Sequence, residues 1–271
     1  MTPEPNSNAR RFRQLHQAGL LVLANVWDAG TARLVESLGA KAIATTSAGV
    51  AWSHGYADGD RLPPGVLAAA VAEITRVIHV PLSVDFEGGY STDPALVGEH
   101  LAPVIGAGAV GINLEDGIGS VDLLCAKIEQ VKRTASRLGI DLFVNARADT
   151  YLRNSVPVER RLAETLARSA RYRAAGADGI FVPGVVDSAE IRTIAAEAGL
   201  PLNVLARPRL PSAAGLAALG VRRLSAGSGL PEVAYGRTAA LAAEFLRTGA
   251  SAPLGEGAMA YRDVNVLMAG I

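Results

Sequence analysis

The segment Val-Asp-Phe-Glu-Gly-Gly-Tyr at 84–90 closes an apolar run and carries two carboxylates, Asp85 and Glu87. Side chains two apart on a strand share a face, so these acids are expected to point the same way. Like charges that close together on a desolvated surface repel and demand a positive partner. Polar residues end other apolar runs in the same manner. Thr45, Thr46 and Ser47 end one, Asn113 and Glu115 another, and Asn145 and Arg147 a third. Three carboxylates and two asparagines against one arginine leave a negative excess that a hard divalent cation would neutralise. Every candidate ligand is an oxygen, the set that suits Mg²⁺ (or Mn²⁺).

Such residues need elements that bring them together. Apolar or β-branched runs predict eight strands, near 21–26, 42–46, 82–86, 111–115, 141–147, 179–183, 202–206 and 222–226. Helically spaced segments lie between them, among them 31–39, 63–78, 123–139 and 160–176, and many end in a glycine just before the next strand. Alternation of this kind predicts an α/β fold, a (β/α)8 TIM-type barrel, with a doubly wound open sheet as the alternative. In a barrel the strand ends that carry the polar residues form one site. No G-x-G-x-x-G follows the first strand, which weakens a dinucleotide-binding reading. Helical spacing over 230–249 and 255–270 exceeds what one closing helix needs. We therefore expect one barrel domain over 1–271 with a helical extension at 250–271.

Composition narrows the function class. The 271 residues carry 26 Lys plus Arg and 26 Asp plus Glu, a net charge of zero, which argues against a nucleic-acid or anionic-membrane partner. One cysteine excludes an internal disulfide and fits a reducing compartment. The N-terminus has no apolar signal core and no long apolar run follows, so a soluble, cytoplasmic protein is expected. Only Lys41, Lys127 and Lys132 are lysines, none at a strand end, which disfavours Schiff-base chemistry. His16, His54, His79 and His100 lack zinc-site spacing.

The ordered motifs Ser47-Ala48-Gly49, Asp58-Gly59, VDFEGGY (84–90), INLED (112–116), NARAD (145–149) and GADGIFVPG (176–184) carry a resemblance. From about Val22 to Gly229 the chain resembles the isocitrate lyase/phosphoenolpyruvate mutase superfamily, on the side of its small phosphonomutase-like members. The resemblance implies that Asp85 binds Mg²⁺ directly, while Glu87, Glu115 and Asp58 hold it mostly through water. It implies that Arg147 pairs with a substrate carboxylate or stabilises developing charge. Ser47, Ala48 and Gly49 match the backbone segment that holds a pyruvate-like carboxylate, and Asn203 matches a polar substrate-contact position. Arg147 and Glu115 are thus the catalytic candidates.

Departures from the family pattern fall on proton transfer. The stretch EDGIGSVDLLCAKIEQ (115–130) has no K-K-C-G-H-type loop motif, and no asparagine lies between Asn113 and Asn145. Glu87 stands where the best-known members have Asp. Cys125 is the remaining acid/base candidate, against a packing role at a helix start, and His54, in the same loop as Asp58, is a candidate lid residue, against a plain surface histidine. The resemblance implies a Mg²⁺-dependent enzyme acting on a small 2-oxo acid or its precursor through an enolate. A carbon–carbon lyase of isocitrate or methylisocitrate lyase type comes first. A phosphorus–carbon enzyme of the phosphonopyruvate hydrolase or phosphoenolpyruvate mutase type, or a 2-oxo-acid binding protein without efficient catalysis, are the alternatives. It also implies a homodimer or homotetramer in which a C-terminal helix, here 255–270, packs on a neighbouring chain.

Overall fold

The computed structural model describes residues 5–153 and 156–270. Its strands are β1 (Leu21–Leu23), β2 (Ile43–Ala44), β3 (Leu82–Asp85), β4 (Gly111–Glu115), β5 (Phe143–Arg147), β6 (Gly179–Val182), β7 (Leu202–Leu205) and β8 (Arg223–Ser225). Its helices are α1 (Pro5–Gln14), α2 (Ala29–Ser37), α3 (Ser47–Ser53), α4 (Pro64–Val77), α5 (Pro94–Gly106), α6 (Val121–Arg137), α7 (Arg161–Ala174), α8 (Ser188–Glu197), α9 (Ala213–Ala218), α10 (Gly229–Thr248) and α11 (Tyr261–Ala269). All strands are parallel, in the order β1-β8-β7-β6-β5-β4-β3-β2. The two end strands meet through a parallel bridge between Val26 and Thr45, with Val26 N–H donating to Ala44 O at 2.9 Å. The sheet is thus a nearly closed barrel, as the alternation predicted.

Helix α4 illustrates why the outer layer forms. Pro64 starts it, where a missing N–H costs nothing, and Leu67, Ala70, Val71, Ile74 and Val77 recur on one buried stripe. These residues pack on the outward faces of the strands, represented by Ile43, Val84, Ile112, Val144 and Ile180. The main core therefore lies between barrel and helices. The interior is different. Arg223 on β8 donates to Asn113 Oδ1 on β4 at 3.3 Å, and these strands are not neighbours, so the contact crosses the lumen. Asn145 donates to Asn113 (2.9 Å), and Ser225 donates to Asn203 (3.1 Å). Burial lowers the Arg223 guanidinium to about 10, and its Nη1 has no partner among the described residues.

Phe12 of α1 plugs the N-terminal end of the barrel, edge-on to Phe143, the first residue of β5, with His16 stacked on the same ring at 4.1 Å. Gly111 must lack a Cβ there, since one would lie 2.6 Å from Phe12. At the other terminus α11 rests on its own chain, where Arg33 of α2 donates to Leu267 O and Gly270 O. Helix α10 buries only Pro231 and leaves Val233, Tyr235, Phe245 and Leu246 exposed. Helix α11 still leaves Tyr261 and Val266 exposed, so α10 and α11 both carry uncovered apolar side chains. Exchange between subunits is not shown. No helix among the described residues is long and apolar enough to cross a membrane.

Candidate active site

Strand register sets the site's central pair. Glu115 and Arg147 end β4 and β5 and lie directly opposite one another, and so do Asp85 and Asn113 on β3 and β4. Arg147 Nη1 meets Glu115 Oε2 at 2.5 Å. Its Nε and Nη2 fork onto Asp149, at 2.8 and 3.1 Å. Arg153, six residues further on, bridges the same two acids, with Nε to Asp149 Oδ2 at 2.9 Å and Nη2 to Glu115 Oε1 at 3.1 Å. Two carboxylates and two guanidinium groups thus close a ring at the strand ends. Asp116 supports it from behind: its Oδ1 accepts Asp149 N–H (2.9 Å), and its Oδ2 accepts Arg168 and Tyr172 OH, both at 2.7 Å.

The Asp85–Glu87 pair departs from the expectation of a shared strand face. Strand β3 ends at Asp85, and Glu87 has φ 49°, a left-handed conformation. Asp60, Glu87 and Tyr90 are the non-glycine residues with positive φ among the described residues, and they bond to one another. Glu87 accepts Gly59 N–H (2.8 Å), Asp60 N–H and Tyr90 OH (2.7 Å). Asp60 Oδ1 in turn accepts the N–H groups of Gly88 and Tyr90, both at 3.1 Å. Lys127 Nζ, buried on α6, donates to Gly88 O at 2.5 Å. Strained backbone held by this many bonds is typical of a functional clamp.

Asp85 is held differently. Its backbone N–H donates to Thr45 Oγ1 at 2.8 Å, and its carboxylate Oδ2 accepts Ser47 N–H at 3.2 Å, with Ser47 the carboxylate's sole hydrogen-bonding partner among the described residues. Ser47 and Ala48 open α3, and the Ser47 N–H expected to meet a ligand is committed to Asp85. Gly49 serves packing, since a Cβ would fall 2.8 Å from Trp27 Cβ. Asp58 stands in the exposed 57–60 loop, near enough to raise the pKa of both Asp85 and Glu87. Asn203 is buried in the barrel interior, and its Nδ2 has no partner among the described residues. Cys125 on α6 faces Arg171, Asp122 and Glu129 rather than the acids, and His54 caps α3 through Val50 O. Neither joins the site.

Burial pushes the Asp85 carboxyl up, against the pull of Arg147 and Ser47. It takes Glu87 to about 7, opposed by its hydrogen bonds, and Glu115 to about 8, opposed by Arg147 and Arg153. A cation would relieve all three. Among the described residues no three His, Cys, Asp or Glu side chains are placed to ligate one ion together. The Asp85 carboxylate has the fewest protein donors, whereas the Glu87 and Glu115 carboxylates are engaged by hydrogen bonds and ion pairs, so a cation would meet Asp85 directly and the other two through water. That donor set fits Mg²⁺, which keeps several waters and takes one or two carboxylates.

A cavity of about 340 Å³ adjoins this cluster, lined by Gly59, Gly88, Glu115, Lys127 and Arg153 but not by Asp85 or Arg147. Sequence reasoning named neither Arg153, Lys127 nor Asp149 as site residues. Asp149 had a signal, since it lies two positions past Arg147 in a recognised motif.

A sequence profile for phosphoenolpyruvate phosphomutase matches residues 12–246. The chain belongs to this family. An uncharacterized protein of Mycobacterium tuberculosis (strain ATCC 25618 / H37Rv) is 38% identical over 251 residues, covering 89% of this chain and 91% of that one. The oxaloacetate decarboxylase of Paraburkholderia xenovorans (strain LB400) is 30% identical over 237 residues, covering 82% of this chain and 77% of that one. Among solved structures of the superfamily, a phosphonomutase-class protein of Burkholderia cenocepacia J2315 is 43% identical with a TM-score of 0.83, covering 88% and 99%. An oxaloacetate acetylhydrolase is 25% identical with a TM-score of 0.83, covering 97% and 95%. Family members of these names include carbon–carbon lyases and mutases.

Proposed function

We propose that the chain is a divalent-cation-dependent enzyme that breaks a carbon–carbon bond next to the carbonyl of a 2-oxo acid, through an enolate. The observation that carries this reading is Asp85 at the end of β3, partly buried, with a sparsely bonded carboxylate close enough to Arg147 and Glu115 to feel their charges. Asp85 would hold the cation directly, with Glu87, Glu115 and Asp58 contributing through water. A bound divalent cation supplies Lewis-acid stabilisation of the charge that appears as the bond breaks. Asp149 and Glu115 hold the Arg147 guanidinium in one orientation, so its positive charge is in place before the reaction begins. The clamp of Asp60, Tyr90 and Lys127 fixes the Glu87 segment beside it. The relatives named for oxaloacetate cleavage support a carbon–carbon bond as the target. The phosphonomutase-class neighbour keeps a phosphorus–carbon bond as the second reading.

The test is an assay of the wild-type protein on oxaloacetate, 2-alkylmalates and phosphonopyruvate, with Mg²⁺ and with EDTA. Cation-dependent cleavage of one of the carbon acids is expected, with Asp85→Ala abolishing both turnover and cation binding. Cleavage that ignores EDTA, or a folded Asp85→Ala protein with full cation affinity, would reject the proposal. Turnover of phosphonopyruvate alone would shift it to the second reading.

A further inference from the structure

Arg223 opens β8 and Asn203 is the second residue of β7, whereas the candidate active site gathers at the last residues of β3, β4 and β5. The two are register partners on neighbouring strands, and each is only 1% exposed. The hydrogen bonds around them run in one direction. Arg223 Nε donates to Ser225 Oγ at 3.3 Å, so the Ser225 hydroxyl proton goes on to Asn203 Oδ1 at 3.1 Å. Arg223 Nη2 donates to Asn113 Oδ1, which also takes Asn145 Nδ2. The acceptors of Asn113, Ser225 and Asn203 are thus all engaged from within the network. What is left over is donors: Arg223 Nη1 and Asn203 Nδ2 have no partner among the described residues.

Charge points the same way. A guanidinium keeps its proton at neutral pH even when burial lowers it to about 10. A buried charge is costly unless an opposite charge meets it. No carboxylate pairs with Arg223 among the described residues. Glu115 and Asp149 are paired with Arg147 and Arg153, and Asp85, the acid whose charge reaches Arg223, is bonded to Ser47 instead. Water would satisfy the spare donors but not the charge. A ligand enclosed this fully must also be small, since Phe12 and Phe143 close the barrel below. From this set we infer that the barrel lumen binds a small monovalent anion of the chloride class, on Arg223 Nη1 and Asn203 Nδ2. Such an ion balances the interior charge without drawing on Asp85. The inference goes beyond the proposed function and requires neither a substrate nor a cation at the barrel mouth.

Thermal unfolding of the full chain in matched salts tests it. Sodium chloride at about 0.2 M is compared with sodium gluconate at equal ionic strength, gluconate being too large for the lumen. The wild-type Tm is expected to be about 3–5 °C higher in chloride, the shift of a ligand roughly tenfold to twentyfold above its Kd. Two variants separate the bound ion from a general salt effect. Arg223→Met removes the charge at similar length, and Asn203→Asp supplies a fixed carboxylate beside Arg223. The chloride rise should vanish in both. A rise as large in either variant as in the wild type overturns the inference. So does a wild type indifferent to chloride, which would mean that Asp85 alone balances Arg223. Crystals of the wild type grown in sodium bromide give a readout that does not depend on the variants folding. An anomalous peak within hydrogen-bond reach of Arg223 Nη1 and Asn203 Nδ2 is expected, and ordered water there without anomalous signal overturns the inference. Neither measurement uses turnover or Mg²⁺, so the proposed function stands or falls separately.

Discussion

Asp149 is the residue on which the ring of charges at the barrel mouth depends, and replacing it separates structure from electrostatics. Its side chain is fully buried, and it accepts three hydrogen bonds from two arginines. Arg147 is nearly as buried, at 15% exposure. In Asp149→Ala the Arg147 guanidinium keeps Glu115 alone and loses its bidentate partner inside the protein. Removing one member of a buried pair costs roughly 3–5 kcal/mol, because the remaining charge stays desolvated. The Arg153 contact adds little, since that side chain is 42% exposed and screened by water. Against a total stability of about 5–15 kcal/mol, this is a large fraction.

Asp149→Asn gives the finer comparison. It keeps the shape and one acceptor oxygen, so the expected loss is that of a charge-assisted bond, about 1.5–3 kcal/mol. Equilibrium urea unfolding, followed by the fluorescence of Trp27 and Trp52, reads both values. A double-mutant cycle with Arg147→Met should return a coupling energy that accounts for most of the Asp149→Asn loss. Asp149→Ala within about 1 kcal/mol of wild type, at an unchanged denaturant slope, would refute the account. In that case the ring would be a crowding of charges that stabilises nothing, and the claim that Arg147 is preorganised would fall with it.

Cation binding is expected to depend on pH. Glu87 and Glu115, at about 7 and 8, bind protons in the folded chain that the unfolded chain has already released at their ordinary value of 4.5. Stability without a cation should therefore fall as pH rises through this window. Buried His16, pushed down to about 3, works oppositely below its ordinary 6.5, so the comparison belongs between pH 6.5 and 8.5. A Mg²⁺-induced rise in Tm should be larger at the upper end, and a rise independent of pH would contradict it. The exposed Val233, Tyr235, Phe245 and Leu246 of α10 should drive self-association. Light scattering at micromolar concentration is expected to show a multimer that Leu246→Asp weakens, and a wild-type monomer would contradict this.

The order of elements was legible because it rests on local patterns. GINLE is apolar until its terminal acid, and β4 spans those five residues, Gly111–Glu115. Helix α1 was not legible, since PNSNARRFRQ carries one strong apolar residue, Phe12, whose importance lies in a contact with Gly111 about a hundred positions away. The Asp85–Glu87 reading failed for a local reason. The alternation rule holds only while the strand continues, and the chain leaves β3 at Asp85 and enters a left-handed turn.

The site was half legible, and the division follows from how each residue earns its place. Glu115 and Arg147 end apolar runs, so their position on the barrel rim is written in their own segments. That they face each other is a matter of register between β4 and β5, which neither segment specifies alone. Lys127 and Arg153 are a step further removed. One lies within a helix and the other in a connection, and each acquires meaning only from a backbone carbonyl or a carboxylate on a different element. Arg153, the half-exposed guanidinium of the ring, reaches the cavity only because the connection after β5 folds back over the ends of β4 and β5, a placement that no pattern in its own segment records.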